Sequence, residues 1–193
     1  MLWPIVFPFK VTSAVMAILV ATFTILAPRI GWKRIKAFVV SVIVATLAFI
    51  PAFILASTII DKFRFGDFEY KSYSEIPTSR FRRYMPESAT GIEMRKNING
   101  YYAKYTLTES HLDAFLDKLW QSYGNDSAVQ RGGMSGEGKL VSPGHFEYEF
   151  DGLDWKCPKN TILLYGPTEG DGGGATYYVD RESQRVFQRT GFW

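Results

Sequence analysis

Two long apolar stretches open the chain, and short alternating runs follow them. Residues 37–60, AFVVSVIVATLAFIPAFILASTII, carry no charge over 24 positions. As a helix at about 1.5 Å per residue they reach about 36 Å, more than the roughly 30 Å hydrocarbon core of a bilayer. Ahead of them Val11–Ala27 supplies 17 uncharged positions, with apolar Leu2 to Phe9 in front. The pattern predicts a transmembrane hairpin over residues 1–60, with helices at about 11–28 and 37–60 and a basic loop at 29–36. A cleaved leader is disfavoured, because the only early charge is Lys10 and the first stretch ends Leu26-Ala27-Pro28-Arg29 with no small-x-small cleavage site.

Beyond residue 60 the periods are shorter. Residues 61–90 are rich in aromatic and charged positions and include Pro77 and Pro86, so they are expected as an extended linker, with Phe63, Phe65, Phe68, Tyr70 and Tyr73 as interfacial contacts or a first strand. Arg80, Arg82 and Arg83 in that stretch read as a solvated charge run. A domain is expected over 91–193. Ile92 and Met94, then Tyr101, Ala103, Tyr105 and Leu107, alternate with polar residues around Asn99-Gly100, a pair suited to a type I′ hairpin turn. Leu112, Phe115, Leu116, Leu119 and Trp120 recur at helical spacing, with Thr108 or Ser110 as cap and Gly124 as stop. Residues 125–144 read as a long mobile loop, and 146–150, 161–165, 175–180 and 185–188 as four short strands. The fold class is α+β: an N-terminal two-helix transmembrane hairpin, then a small antiparallel-sheet domain with one packed helix.

Charge fixes the expected topology. Residues 1–61 hold five Lys/Arg against one acid, a net of +4, and residues 62–193 hold 17 basic and 18 acidic residues, a net of −1. The soluble part is not basic, which argues against nucleic acid as a partner. Arg29, Lys33, Arg34 and Lys36 sit in nine positions with no acid, and the positive-inside rule puts such a loop in the cytoplasm. Both termini and the C-terminal domain are then extracytoplasmic. Cys157 is the single cysteine, so the domain holds itself by packing. Within the hairpin, Ser13, Ala17 and Ala21 in one helix and Ala48, Ala52 and Ala56 in the other form small-residue stripes. With a turn near Trp32, Ser13 falls beside Ala52 and Ala17 beside Ala48. Neither helix contains an ionisable residue at membrane depth, which disfavours a transporter or channel.

Candidate chemistry is sparse. His111, His145 and Cys157 are the only imidazoles and thiol, and they lack the local spacing of a zinc site. The glycine-rich run Gly166–Gly174 is followed by a strand pattern and has no Lys-Ser/Thr, so it reads as a hairpin loop rather than a phosphate cradle. Glu147 with Glu149, and Asp151 with Asp154, have the composition of an acid pair, but sequence does not give their separation. No catalytic, cofactor or metal residue is assigned. Trp155, Tyr177, Tyr178, Phe192 and Trp193 are candidate partner-binding aromatics, since aromatics concentrate at interface centres.

A Pro-x-Ser-Ala-Thr-x-Ile opening at Pro86 to Ile92, a short helix, Tyr178-Val179-Asp180 and a terminal Phe192-Trp193 resemble small bacterial membrane-anchored or secreted proteins of unknown function. The resemblance covers residues 86–193, implies an extracytoplasmic bacterial domain and brings no catalytic residue. The expectation is therefore a bacterial inner-membrane protein whose partners are the lipid bilayer and a protein of a larger membrane complex, which it serves as accessory subunit. The alternatives are an immunity-type protein that neutralises an extracytoplasmic toxin, an enzyme with a site around His111, His145 or Cys157, and a ligand sensor.

Overall fold

The computed structural model describes residues 3–170 and 172–191, in two compact units that divide after Arg64. In the first unit, α1 (Trp3–Leu26) and α2 (Arg34–Arg64) form an antiparallel hairpin, each long and apolar enough to cross a membrane. Both are longer than expected, α1 running through Pro8 and α2 through Pro51. Their surfaces are apolar and uncovered: Ile18 is 64% exposed and Leu47 77%. A helix of a water-soluble core would bury such residues. Thr12, Thr24, Ser41, Thr46 and Thr58 each donate to a carbonyl three or four residues earlier, so these hydroxyls need no water.

The hairpin turns earlier than expected. A 3-10 turn at Ala27–Ile30 follows α1, and Gly31 closes it in the left-handed region (φ 78°), where its N–H reaches the Pro28 carbonyl. Centring the turn there, rather than at Trp32, slides the helices by about one helical turn. Phe9 meets Phe49 and Phe53, and Ser13 and Ala17 share a groove with Ala45 and Phe49. Ala48 lines a groove with Met16 and Val20, and Ala17 and Ala21 are exposed. Ala52 and Ala56 are half-buried.

The second unit is a six-stranded antiparallel sheet: β1 (Gly66–Ser72), β2 (Thr90–Asn97), β3 (Gly100–Thr106), β4 (Thr161–Tyr165), β5 (Gly174–Asp180) and β6 (Arg185–Gly191), in the order β1-β2-β3-β6-β5-β4. Residues 66–72, placed within the expected linker with a first strand as one of its two readings, are thus its edge strand. The chain then passes through α3 (Ser79–Arg82), and Ile76, Phe81, Tyr84, Met85 and Ala89 are buried. Arg82 is no solvated charge, since it donates to the Ile76 and Ser74 carbonyls. Helix α4 (Glu109–Tyr123) covers the same sheet face as this segment, burying Leu112, Leu116 and Leu119 and setting Phe115 edge-on to Tyr177.

The opposite face carries α5 (Pro143–Glu149), where a strand over 146–150 was expected. Aromatics at 146, 148 and 150 fit a period of two, but Ser142 caps the segment by accepting the His145 N–H and Pro143 occupies its first turn. As a helix it buries Phe146 and Phe150, four residues apart, and leaves Tyr148 79% exposed. Phe146 and Phe150 pack with Leu163, Tyr178 and Phe187. Because both faces are covered, β5 buries successive residues, Tyr177 toward α4 and Tyr178 toward α5. Residues 125–144 are not a free loop: Gly138, Lys139 and Val141 exchange backbone hydrogen bonds with Leu163 and Thr161 and cover the outer edge of β4.

The β2–β3 turn also lies one residue earlier than expected. Its tip is Ile98-Asn99, neither with positive φ, and the Asn97 side chain accepts the Asn99 N–H at 2.9 Å. Gly100 instead serves the neighbouring strand: a Cβ there would lie 1.8 Å from the Thr190 carbonyl oxygen on β6. Gly100→Ala is expected to push β3 from β6 and lower stability by about 3 kcal/mol, read as an earlier urea midpoint of the detergent-solubilised full chain; an unchanged midpoint would show that the strands give way freely.

Candidate functional site

On the α5 side, the three strands β1, β2 and β3 leave a surface that the helix does not reach. Strand alternation places Asp67 and Glu69 of β1, Glu93 and Arg95 of β2 and Lys104 of β3 there together. Asp67 faces Arg95 across the ladder and accepts from its Nε at 2.6 Å and its Nη2 at 3.0 Å. That guanidinium holds the Asp67 carboxyl below its ordinary value, chiefly by hydrogen bonding. Glu93 faces Lys104, with Nζ 2.7 Å from Oε2.

Arg95 has a second duty. Its Nη1 donates to the Gly152 carbonyl at 2.7 Å, so the segment after α5 is tied to β2. That tie raises Leu153, Asp154 and Trp155 as a wall. The Trp155 ring lies 5.4 Å from Phe150 and 5.8 Å from Phe187 on its inner side, and the Lys104 ammonium stands 5.7 Å from its centroid. The groove so enclosed has a volume of about 560 Å³. Four carboxylates, Asp67, Glu69, Glu93 and Asp154, line it against two cations, Arg95 and Lys104. Both cations are paired, and Glu69 and Asp154 have no ion-pair partner among the described residues, which leaves the groove electronegative.

Of the aromatics expected to bind a partner, Trp155 alone among the described residues stands in this groove. Tyr177 and Tyr178 are core residues, fully or almost fully buried, and are withdrawn as contact residues. Tyr177 donates to the Tyr84 carbonyl, and the Tyr178 hydroxyl lies 3.3 Å from His145 Nε2. Phe192 and Trp193 lie outside the described residues. His111 sits exposed on α4, on the other side of the sheet from His145 of α5, so the three expected reactive residues do not converge. Burial raises the Cys157 thiol, which stays protonated near neutrality. Glu149 is bound by Arg189 and is not paired with Glu147. Among the described residues no three His, Cys, Asp or Glu side chains are grouped to hold a metal. In the Gly166–Gly174 loop, Glu169 is held by Tyr84 and Arg83.

A second groove of about 700 Å³ runs between α4 and residues 73–88; its Arg82 and Arg83 are already bonded within the fold, and its remaining charges, Lys118 and Glu87, are one of each sign, so it carries no net excess for a partner. The first groove is therefore the better site. Sequence reading missed its charged residues because alternating Glu93 and Arg95 have the pattern of any solvated strand face. Comparisons with protein-family models, curated proteins and solved structures find no match to this chain.

Behind β1 and β2, on the α4 side, lies an unusual lysine. Lys96 is 4% exposed, its Nζ 4.2 Å from the Phe68 ring centroid, 4.8 Å from Tyr70 and 4.9 Å from Phe81, and it donates to the Tyr70 hydroxyl. Ring faces recover part of the lost hydration, but burial pushes this amine down to about 8. The fold disfavours the charged form that the unfolded chain keeps up to its ordinary value of 10.5. The resulting penalty is fully present below pH 8 and is lost as pH rises from there to 10.5. Lys96→Met is thus expected to melt above the wild type at pH 7, and the gap to narrow by about 5 °C or more at pH 10; thermal unfolding at the two pH values reads it, and a constant gap removes the argument.

Proposed function

We propose that the chain is a membrane-anchored binding protein of the bacterial inner membrane, an accessory subunit of a larger membrane complex. The hairpin anchors it and its second unit engages a protein partner outside the cytoplasm. The observation that carries the reading is the groove itself: Trp155 and the unpaired Glu69 and Asp154 line an open surface with no nucleophile–base pair in it. An aromatic wall with uncompensated charge is suited to recognising a partner. The uniformly apolar helix surfaces and the basic loop Arg29, Lys33, Arg34 and Lys36 support the anchor and its orientation. The resemblance of residues 86–193 to small membrane-anchored bacterial proteins agrees with an extracytoplasmic placement.

Orientation is tested by cysteine labelling in a Cys157→Ala background. An impermeant maleimide is expected to label Glu147→Cys in spheroplasts and Lys33→Cys only after the membrane is opened; the reverse pattern would place the domain in the cytoplasm. Purification from native membranes in nanodiscs, with mass spectrometry, is expected to yield a stoichiometric partner, and recovery of the chain alone would count against a subunit role.

A further inference from the structure

The two edges of the sheet are treated differently. The outer edge of β4 is closed by residues 138–141. The outer edge of β1 is open. The Lys71 N–H points away from the sheet and donates to Glu75 Oε2 at 2.8 Å. Strand alternation turns the N–H and C=O groups of Asp67 and Glu69 to that same side, and no hydrogen bond among the described residues uses them. The register with β2 keeps one offset from Gly66↔Lys96 through Tyr70↔Ile92 to Ser72↔Thr90, so this edge has no bulge to turn a strand away.

We propose that this edge docks an extended segment of a partner protein carrying Lys or Arg at alternate positions, which joins the sheet as a further strand. The proposal rests on reading the unit as a binding module and names the chemistry of its partner. Backbone hydrogen bonds to Asp67 and Glu69 supply the attachment, and alternate side chains supply the choice. On one face of the added strand, side chains pass over the groove toward Glu69 and Asp154, which selects cations. On the other face, side chains meet the half-buried Phe68 and Tyr70, which selects apolar residues. A second copy of this chain fits less well: full overlap of two β1 strands, centred on Glu69, sets that carboxylate against itself, while the copy's Lys71 meets Asp67, which Arg95 already holds.

The test uses the full chain in lipid nanodiscs and a ten-residue peptide alternating Lys and Val, against one alternating Glu and Val. The Lys/Val peptide is expected to bind and to slow amide exchange at Asp67 and Glu69. Glu69→Lys and Asp154→Lys should each weaken it at least tenfold, and Glu69→Pro, which deletes one outward N–H, should abolish it. Glu147→Lys on α5 should leave it unchanged. Should Glu69→Pro fail to fold, the two charge reversals still decide. No binding, equal binding of the Glu/Val peptide, binding undiminished in the variants, or pairing of two copies through β1 would each overturn the proposal. A native partner that co-purifies undiminished with Glu69→Lys would sink edge docking and leave the subunit reading standing. Peptide binding without any native partner would do the opposite.

Discussion

The second unit depends on a single buried amide. Gln188 of β6 is fully buried, and its Nε2 donates toward the Tyr84 carbonyl at 2.7 Å, the Tyr101 hydroxyl at 2.9 Å and Thr190 Oγ1 at 3.1 Å. Its Oε1 accepts the Tyr105 hydroxyl at 2.9 Å, and Tyr177 donates to the same Tyr84 carbonyl at 2.7 Å. An unpaired polar group at such depth costs about 1–3 kcal/mol, so the arrangement tolerates little rearrangement. The three tyrosine hydroxyls are held protonated by burial, well above their ordinary value. What they fasten is the 73–89 segment, which has no strand of its own. Phe81 packs on Tyr101 and also forms one side of the cage around Lys96, so the hub in the sheet centre also positions the β1 end.

The groove follows from a mismatch of size. A seven-residue helix is about 10 Å long, whereas six strands at about 4.8 Å spacing span about 24 Å. Helix α5 covers the part of the face around Tyr178 and Phe187 with Phe146 and Phe150, and cannot cover β1 and β2 as well. The uncovered positions carry charge, and their cations are satisfied locally through Asp67–Arg95 and Glu93–Lys104. Arg95 then does the one thing that turns a flat charged surface into a cleft, by binding Gly152 and holding Trp155 upright over the aromatic core.

The parts legible in the sequence are those whose period has a single meaning. Helix α4, the strands at 161–165 and 174–180 and the apolar helices repeat cleanly. Residues 146–150 do not, because aromatics at every second position also include a pair four apart, and only Ser142-Pro143 distinguishes helix from strand. Strand β1 stands only as one of two readings because its partner lies more than 20 residues on and prolines intervene. The hairpin register is sensitive to a small displacement of its turn, since moving the turn by two residues moves each facing pair by four. Of the site, Trp155 was visible as a spare aromatic. Tyr177 and Tyr178 were misjudged because a sheet covered on both faces buries consecutive residues, which alternation alone does not show. The charged residues of the groove acquire meaning only when β1 is laid beside β2.

An open edge strand is ordinarily a hazard, and proteins blunt it with charge as often as with cover. Strand β1 carries Asp67, Glu69 and Lys71 at its outward-bonding positions, and Glu75 occupies the Lys71 amide. Glu69, which would oppose itself, and Glu75 on the Lys71 amide discourage pairing with a copy of the same strand, and the copy's Lys71 finds Asp67 already held by Arg95. They do not treat all strands alike. Arg95 already neutralises Asp67, so the uncompensated charge at the edge is that of Glu69, reinforced by Asp154 across the groove. The Glu69 carboxylate that opposes itself in a self-pair lowers the cost of approach for a basic strand, and the groove gives its long side chains room. On this reading, protection from aggregation and choice of partner are one electrostatic property of a single edge.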